Sequence, residues 1–441
     1  MARLKQNIKP PTGYTHVRTV RAIEEYELRA NGLRVLYMHV PGCGAVTSNL
    51  VYRVGSRHEA RGETGIAHML EHMLFKSVHD GTGKRVPTQG HKVLENAGAL
   101  MNASTWLDRT NYYFTVPTPY LTQALATEAG RMRNLLIEER EFTPEQTNVL
   151  SEYEMYAGNP LEALMTEVTQ AAFVSHGYGH ETIGHRGDIE CFTVPKLRAF
   201  YDTYYWPNNA TLTIVGDIER DDALKAVRAA FGSIPRSPTP IPEIDVAEPA
   251  QAGTRRVEVR RPTPLSISVV AQKIPPACSR EWATMQVIGA YLTDGPQSRL
   301  EELLVDTHLA SSVEAAATPT HDAGLFSIIV HLTEGTAHET VERIVTEEFA
   351  ALVTKPPSPA RLETITRKLL AAERFARDGT GAISQELTEC IAIGDWTRYY
   401  TLSTDIAKTT PRDIVDAART YLTAERRTVG TLIGSAASAD S

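Results

Sequence analysis

Continuous and alternating apolar runs at 33–40, 48–54, 265–271 and 326–332 predict β-strands. Apolar residues at helical spacing predict helices at 120–136, 359–376 and 385–393. In each half of the chain a pair of strands comes first and helices follow. This order predicts an α+β fold of two lobes, each a mostly antiparallel sheet with helices packed on one face. Between the halves, 231–253 holds repeated prolines and no sustained periodicity, which reads as an extended linker. The expected organisation is a first domain over 1–232, a linker over 233–254 and a second domain over 255–441.

The ends of the two halves look alike. Thr193-Val194-Pro195 opens a helix closing at Tyr204, and the strand 211–216 follows. Thr410-Pro411 opens a helix closing at Tyr421, and a strand over 428–434 follows. The two prolines lie roughly half the chain apart, and an internal duplication is the economical explanation.

One short helix carries chemistry. In Gly65-Ile66-Ala67-His68-Met69-Leu70-Glu71-His72-Met73-Leu74-Phe75-Lys76 the apolar stripe Ile66, Met69, Leu70, Met73 and Leu74 would bury the helix. His68 and His72, four apart, fall on one face with Glu71 beside them, so both imidazoles can point at one cation. The order His-x-x-Glu-His is the inverted zinc peptidase signature. Buried polar groups without partners cost several kcal/mol, and a metal ion would supply the partner.

Catalytic zinc takes three protein ligands as a rule, which calls for a distal carboxylate. Thr143-Pro144-Glu145-Gln146 reads as N-cap, first helical residue and capping box of a helix running through Tyr156 and stopping near Gly158-Asn159-Pro160. Glu145 and Glu152, seven apart, share one face of it; Glu154 lies about 160° further round. Glu152 is the expected third ligand and Glu145 its support.

These motifs resemble the M16 family of zinc metallopeptidases, the pitrilysin, insulinase and mitochondrial processing peptidase group. There the His-x-x-Glu-His helix is followed some eighty residues later by a Glu-x6-Glu helix whose second glutamate binds zinc, as His72 and Glu152 are spaced here. Gly55-Ser56-Arg57-His58-Glu59 matches the family's segment before the zinc helix. Gly98-Ala99-Leu100-Met101-Asn102-Ala103-Ser104-Thr105 is similar to its G-x-x-x-N-A-x-T strand, and further matches run through Asp108, Thr110, Tyr112, Tyr204, Pro207-Asn208-Asn209-Ala210 and Val215-Gly216-Asp217.

The resemblance implies two α+β lobes facing each other like a clam shell, with one Zn²⁺ held by His68, His72 and Glu152 in the first. It implies a peptide hydrolase in which Glu71 takes the proton of the attacking water, with Glu145 assisting. A peptide substrate would add as a strand to the edge at 99–106, where Asn102 and Ala103 are the expected substrate-binding residues.

The second half departs from the family pattern. Members that act alone carry an Arg and a Tyr in a segment that corresponds here to Ser298-Arg299-Leu300-Glu301-Glu302-Leu303-Leu304-Val305-Asp306-Thr307-His308-Leu309-Ala310-Ser311-Ser312-Val313. Leu304 and Ser311 stand where that Arg and Tyr are expected. Loss of an oxyanion donor costs two to three orders of magnitude in rate, on the order of 10²–10³. In heterodimeric members of the family a zinc-free subunit supplies that pair, so the resemblance implies a zinc-free paralogue as partner in a heterodimer.

Composition narrows the alternatives. The chain has 441 residues, 42% hydrophobic, with a net charge of −8 and no basic run, so nothing predicts a nucleic-acid partner. The first eleven residues lack an apolar core of signal-peptide length and no later stretch reaches a bilayer span. The expectation is a cytoplasmic protein without membrane association, or a periplasmic one if a signal has been removed. Cys43, Cys191, Cys278 and Cys390 form no Cys-x-x-Cys and are expected to be ordinary thiols. The glycines of His176-Gly177-Tyr178-Gly179-His180 argue for a loop rather than a second metal site.

Two other protein classes share parts of this pattern. A thioether-sugar lyase with a similar inverted motif needs a catalytic Cys, and none of the four has a matching neighbourhood. A structural core subunit of the kind found in a respiratory complex has degraded zinc motifs, whereas His68, Glu71, His72 and Glu152 are all present.

Overall fold

The computed structural model describes residues 10–79, 84–87 and 90–434. The first nine residues, part of the segment read for a leader, lie outside the described residues. The chain divides into two compact units, neither of them a contiguous stretch. The first takes in 1–149, 182–244 and 377–392, and the second 150–181, 245–376 and 393–441. The step from 244 to 245 falls in the Pro-rich segment, where no residue from 237 to 254 enters a helix or strand. The division differs from the sequence expectation at two segments, 150–181 and 377–392, each grouped with strands from the opposite half of the chain.

The first unit is built on a seven-stranded sheet. Its strands are β1 (Tyr14–Val20), β2 (Ile23–Leu28), β3 (Arg34–His39), β4 (Ala45–Tyr52), β7 (Leu100–Thr105), β8 (Thr110–Pro117) and β9 (Ala210–Gly216). A small ribbon pairs β5 (Ser77–His79) with β6 (Arg85–Pro87). The sheet order is β1-β2-β3-β9-β4-β8-β7, with β9 parallel to β3 and antiparallel to β4. β7 is therefore an edge strand, as the resemblance implied.

β4 is buried on both faces. Leu50 and Tyr52 alternate with Thr47 and Asn49, and on the latter face the helix Gly379–Ala392, which also buries Ile383, Leu387 and Ile391, meets the sheet through a row of hydrogen-bonding side chains. Thr47 bonds Thr380 at 2.9 Å, Asn49 donates to Thr388 at 2.8 Å, and Thr213 bonds Ser384 at 2.8 Å. Thr380, Ser384 and Thr388 recur every four residues, one face of that helix.

The second unit repeats the plan with five strands, β10 (Arg255–Arg261), β11 (Ile267–Ile274), β12 (Ala310–Ala317), β13 (Gly324–Leu332) and β14 (Arg427–Gly434). Their order is β10-β14-β11-β13-β12; β14 runs parallel to β10 and antiparallel to β11, just as β9 does between β3 and β4. This shared insertion of the last strand agrees with the duplication read from the sequence.

One face of this sheet buries Val270, Ile328 and Val330 against helices that include Arg280–Thr293 and His338–Thr354. The other face packs Ile267, Val269 and Leu432 on Leu164 and Val168 of the helix Pro160–Ala172. Gly430 permits that approach, since a Cβ there would lie 2.3 Å from Val168 Cγ2. Each sheet thus carries its expected helical layer on one face and, on the other, one helix contributed by the other half of the chain.

Candidate metal centre

The helix Ile66–Met73 buries Ile66, Ala67, Met69, Leu70 and Met73, and this fixes the opposite face, with His68, Glu71 and His72 half-buried. Its N-terminus is capped from outside. The Glu59 carboxylate accepts from the N–H groups of Gly65 at 2.7 Å and Ala67 at 2.9 Å, favourable for an anion at the positive end of a helix. Glu59 was legible only as a motif letter; its capping role needed the three-dimensional turn between 59 and 65.

The second helix spans Glu139–Gly158, so it begins before Thr143, and Pro144 lies inside it. Thr143 is therefore not the N-cap. The extra turn is anchored by buried Phe142, and by Glu141 and Phe142 N–H groups donating to Glu138 O at 3.0 and 2.9 Å. That anchorage outweighs the hydrogen bond Pro144 cannot make. From 139 to 158 the helix is unbroken, so Glu152 stands two turns, about 10.5 Å along the axis, beyond Glu145.

His68, His72 and Glu152 each offer a ligand atom, and these atoms all lie within 4.8 Å of one another. The two imidazole Nε2 atoms are 3.3 Å apart with their rings nearly perpendicular, at 82°. Burial, with His72 adding to it, pushes His68 down to about 3, so it is neutral at physiological pH. Two imidazoles, at least one of them neutral, and one carboxylate form the donor set that suits a divalent zinc ion.

Glu145 sits behind His72. Its Oε1 is 2.8 Å from His72 Nδ1, and its Oε2 is ion-paired with Lys76. Burial pulls the Glu145 carboxyl upward, but hydrogen bonds from Lys76 and His72 outweigh it and hold the group below its ordinary range. A His72 whose Nδ1–H is donated to Glu145 presents the Nε2 lone pair to a cation. Lys76 was missed in the sequence, although it lies four residues after His72 on the same helical spacing. Glu71 Oε2 accepts a hydrogen bond from the Thr105 hydroxyl at 2.5 Å.

Asn102 and Ala103 lie on edge strand β7, away from the three-residue cluster in sequence. The Ala103 N–H donates to the Asn102 carboxamide oxygen at 2.9 Å. In the second unit Leu304 is fully buried and Ser311 is exposed on β12. Arg299 is held by Glu348, with both guanidinium bonds at 3.1 Å, and by Glu302 at 2.8 Å. His176 of the histidine-glycine loop is 3.1 Å from Asp322 and accepts from the Tyr178 N–H.

Fold and donor set together define a metallopeptidase-like chain. The model described as insulinase (peptidase family M16) matches residues 34–186, and the one described as peptidase M16 inactive domain matches 192–369. The chain belongs to peptidase family M16. It is 29% identical to the zinc protease PqqE of Helicobacter pylori over 74% of this chain and 72% of that protein. It is 22% identical to the mitochondrial-processing peptidase subunit beta of Blastocladiella emersonii, over 81% of this chain and 77% of that one. The crystal structure of a protease from Helicobacter pylori superposes with a TM-score of 0.87 at 25% identity, covering 93% of this chain and 99% of that chain. Among the described residues no helix is long and apolar enough to cross a membrane.

Proposed function

We propose that this chain is a zinc-dependent endopeptidase for short or unfolded peptides, and that it works as the catalytic subunit beside a zinc-free M16 paralogue. The observation that carries the reading is the convergence of His68, His72 and Glu152 donor atoms within 4.8 Å. These three residues would hold the zinc. When bound, the ion supplies Lewis acidity, polarising a carbonyl and making water a nucleophile near neutral pH.

The chain's own residues do the rest. Glu71 accepts the proton of the attacking water and delivers it to the departing amine, the ordinary work of a carboxylate general base. Glu145 keeps His72 in the tautomer whose Nε2 faces the cation, and Lys76 keeps Glu145 anionic. The β7 edge offers backbone groups on which an extended peptide adds as a strand at Asn102 and Ala103.

The paralogue enters through what the second half lacks. Leu304 and Ser311 offer neither a guanidinium nor a phenol, and Arg299 is committed to Glu348 and Glu302. A relative named as a processing-peptidase subunit fits a chain that shares its work with another.

The test is metal analysis beside cleavage of a fluorogenic peptide, for the full chain and Glu71→Gln, each alone and with the zinc-free paralogue. One zinc per chain, cleavage strongest with the paralogue and abolished in Glu71→Gln support the reading. Absence of bound zinc defeats it, and full-rate cleavage by the chain alone defeats the partnership.

A further inference from the structure

We propose that Thr105 is a positioning residue whose hydroxyl, at the end of edge strand β7, holds the Glu71 carboxylate in the orientation that proton transfer needs. The inference rests on the reading of Glu71 as general base and goes beyond it by naming what aims that base.

The Thr105 side chain is buried and its Oγ1 donates to Glu71 Oε2 at 2.5 Å, within the short range of a hydroxyl bonded to an ionised carboxylate. Glutamate has three rotatable side-chain bonds. Fixing one carboxylate oxygen removes the last rotation and sets the direction of the other oxygen's lone pairs.

Such a donor is useful only if it cannot move, and the strand end is clamped. Thr105 pairs with Thr110 across β7 and β8. The next residue, Trp106, donates its N–H to Arg109 O at 2.8 Å, and its carbonyl accepts from Ser56 N at 3.1 Å. Arg57 N donates to Leu107 O at 2.9 Å, and the Arg57 guanidinium is paired with Asp108 at 2.9 Å. Gly55 sits so close that a Cβ would lie 2.0 Å from Trp106 O.

The same short segment fixes the other end of the bond. Two residues after Arg57, Glu59 caps the helix that carries Glu71, through Gly65 and Ala67. Residues 55–59 therefore form one bracket that holds both the strand end bearing the donor and the helix start leading to the acceptor. Thr105 is also two residues from Ala103 on the strand proposed to dock the peptide. Substrate register and base orientation thus depend on one rigid strand.

The test uses the zinc-loaded full chain with its zinc-free paralogue, as wild type, Thr105→Val and Thr105→Ser. Valine keeps the shape without the hydroxyl; serine restores the hydroxyl. Zinc content, kcat and KM for a fluorogenic peptide, and the Glu71 side-chain position in crystal structures are compared. In Thr105→Val, kcat should fall about ten- to hundredfold with KM changed less than about twofold and one zinc retained. Thr105→Ser should return kcat to within about threefold, and Glu71 should turn away from its wild-type position only in the valine variant.

Wild-type kcat in Thr105→Val, a deficit serine does not rescue, loss of zinc, or an unmoved Glu71 each overturns the proposal. If the wild type itself cleaves nothing, the peptidase reading fails, and the crystallographic comparison by itself still decides whether Thr105 aims Glu71.

Discussion

Removing the charge behind His72 gives a test of the metal centre that needs no substrate. Glu145 contacts His72 Nδ1 at 2.8 Å through one oxygen and Lys76 through the other, so Glu145→Gln keeps the shape but loses the anion that makes His72 a stronger donor. Loss of such an outer partner lowers metal affinity by about 10- to 100-fold, or about 1.4–2.7 kcal/mol. Glutamine can still accept a hydrogen bond, so Glu145→Gln should lie near tenfold and Glu145→Ala nearer the upper limit. Competition between the protein and a chromophoric zinc chelator at neutral pH measures this directly. Thermal stability gives a second reading. Zinc at 100 times the wild-type Kd stabilises the wild type by about 2.7 kcal/mol, a tenfold weaker variant by about 1.4, and a hundredfold weaker one by about 0.4. A Glu145→Ala variant that binds zinc within about twofold of the wild type would refute the assignment of Glu145 as the group that orients His72.

The remaining predictions concern stability. Glu59→Ala removes both acceptors at the start of the histidine helix and should destabilise the fold by about 2–4 kcal/mol in urea unfolding, from two charge-assisted bonds at a helix N-terminus. Glu248 lies in the second unit, where it accepts from the N–H groups of Val174, Ser175 and His176 and from Lys273. Its Glu248→Ala variant should lose about 3–5 kcal/mol, because a buried ammonium and three N–H groups lose one acceptor. Burial pulls the Glu248 carboxyl up, but these donors outweigh it and hold it below its ordinary range. Its contribution is therefore complete above the unfolded value of 4.5 and disappears as pH falls through the lower folded value. The stability difference between wild type and Glu248→Ala should shrink below that pH; a gap that widens in acid would show the donors are not the cause.

The histidine helix was legible because helical spacing alone decides which of its residues share a face. Ile66, Met69, Leu70 and Met73 define the buried side, so His68, Glu71 and His72 had to lie together on the other. Glu145 and Glu152 followed by the same argument, since seven residues make two turns whatever the cap. The cap itself was misread: Thr143-Pro144 is a strong local start signal, and it lost to the tertiary anchorage of Phe142. Lys76 and Thr105 carried weaker signals. A lysine past the last helical turn and a threonine at the end of a strand acquire their meaning only from the carboxylates brought to them.

The placement of the helix Gly379–Ala392 was illegible for a different reason. Binary patterning assumes that polar residues alternating along a strand face water. On β4 the residues Thr47 and Asn49 break that assumption, because they are buried and their partners are Thr380 and Thr388, more than three hundred residues later in the chain. The helix Gly379–Ala392 shows its burial through Ile383, Leu387 and Ile391, but Thr380, Ser384 and Thr388 beside them give no sign of the strand they meet. Each polar group is satisfied by the other, so the polar face of the strand does not look like an interface until both are folded. The consequence for reading this chain is specific. A Thr or Asn in its strands is evidence of an exposed face only when no hydroxyl-bearing helix elsewhere in the sequence repeats at four-residue spacing.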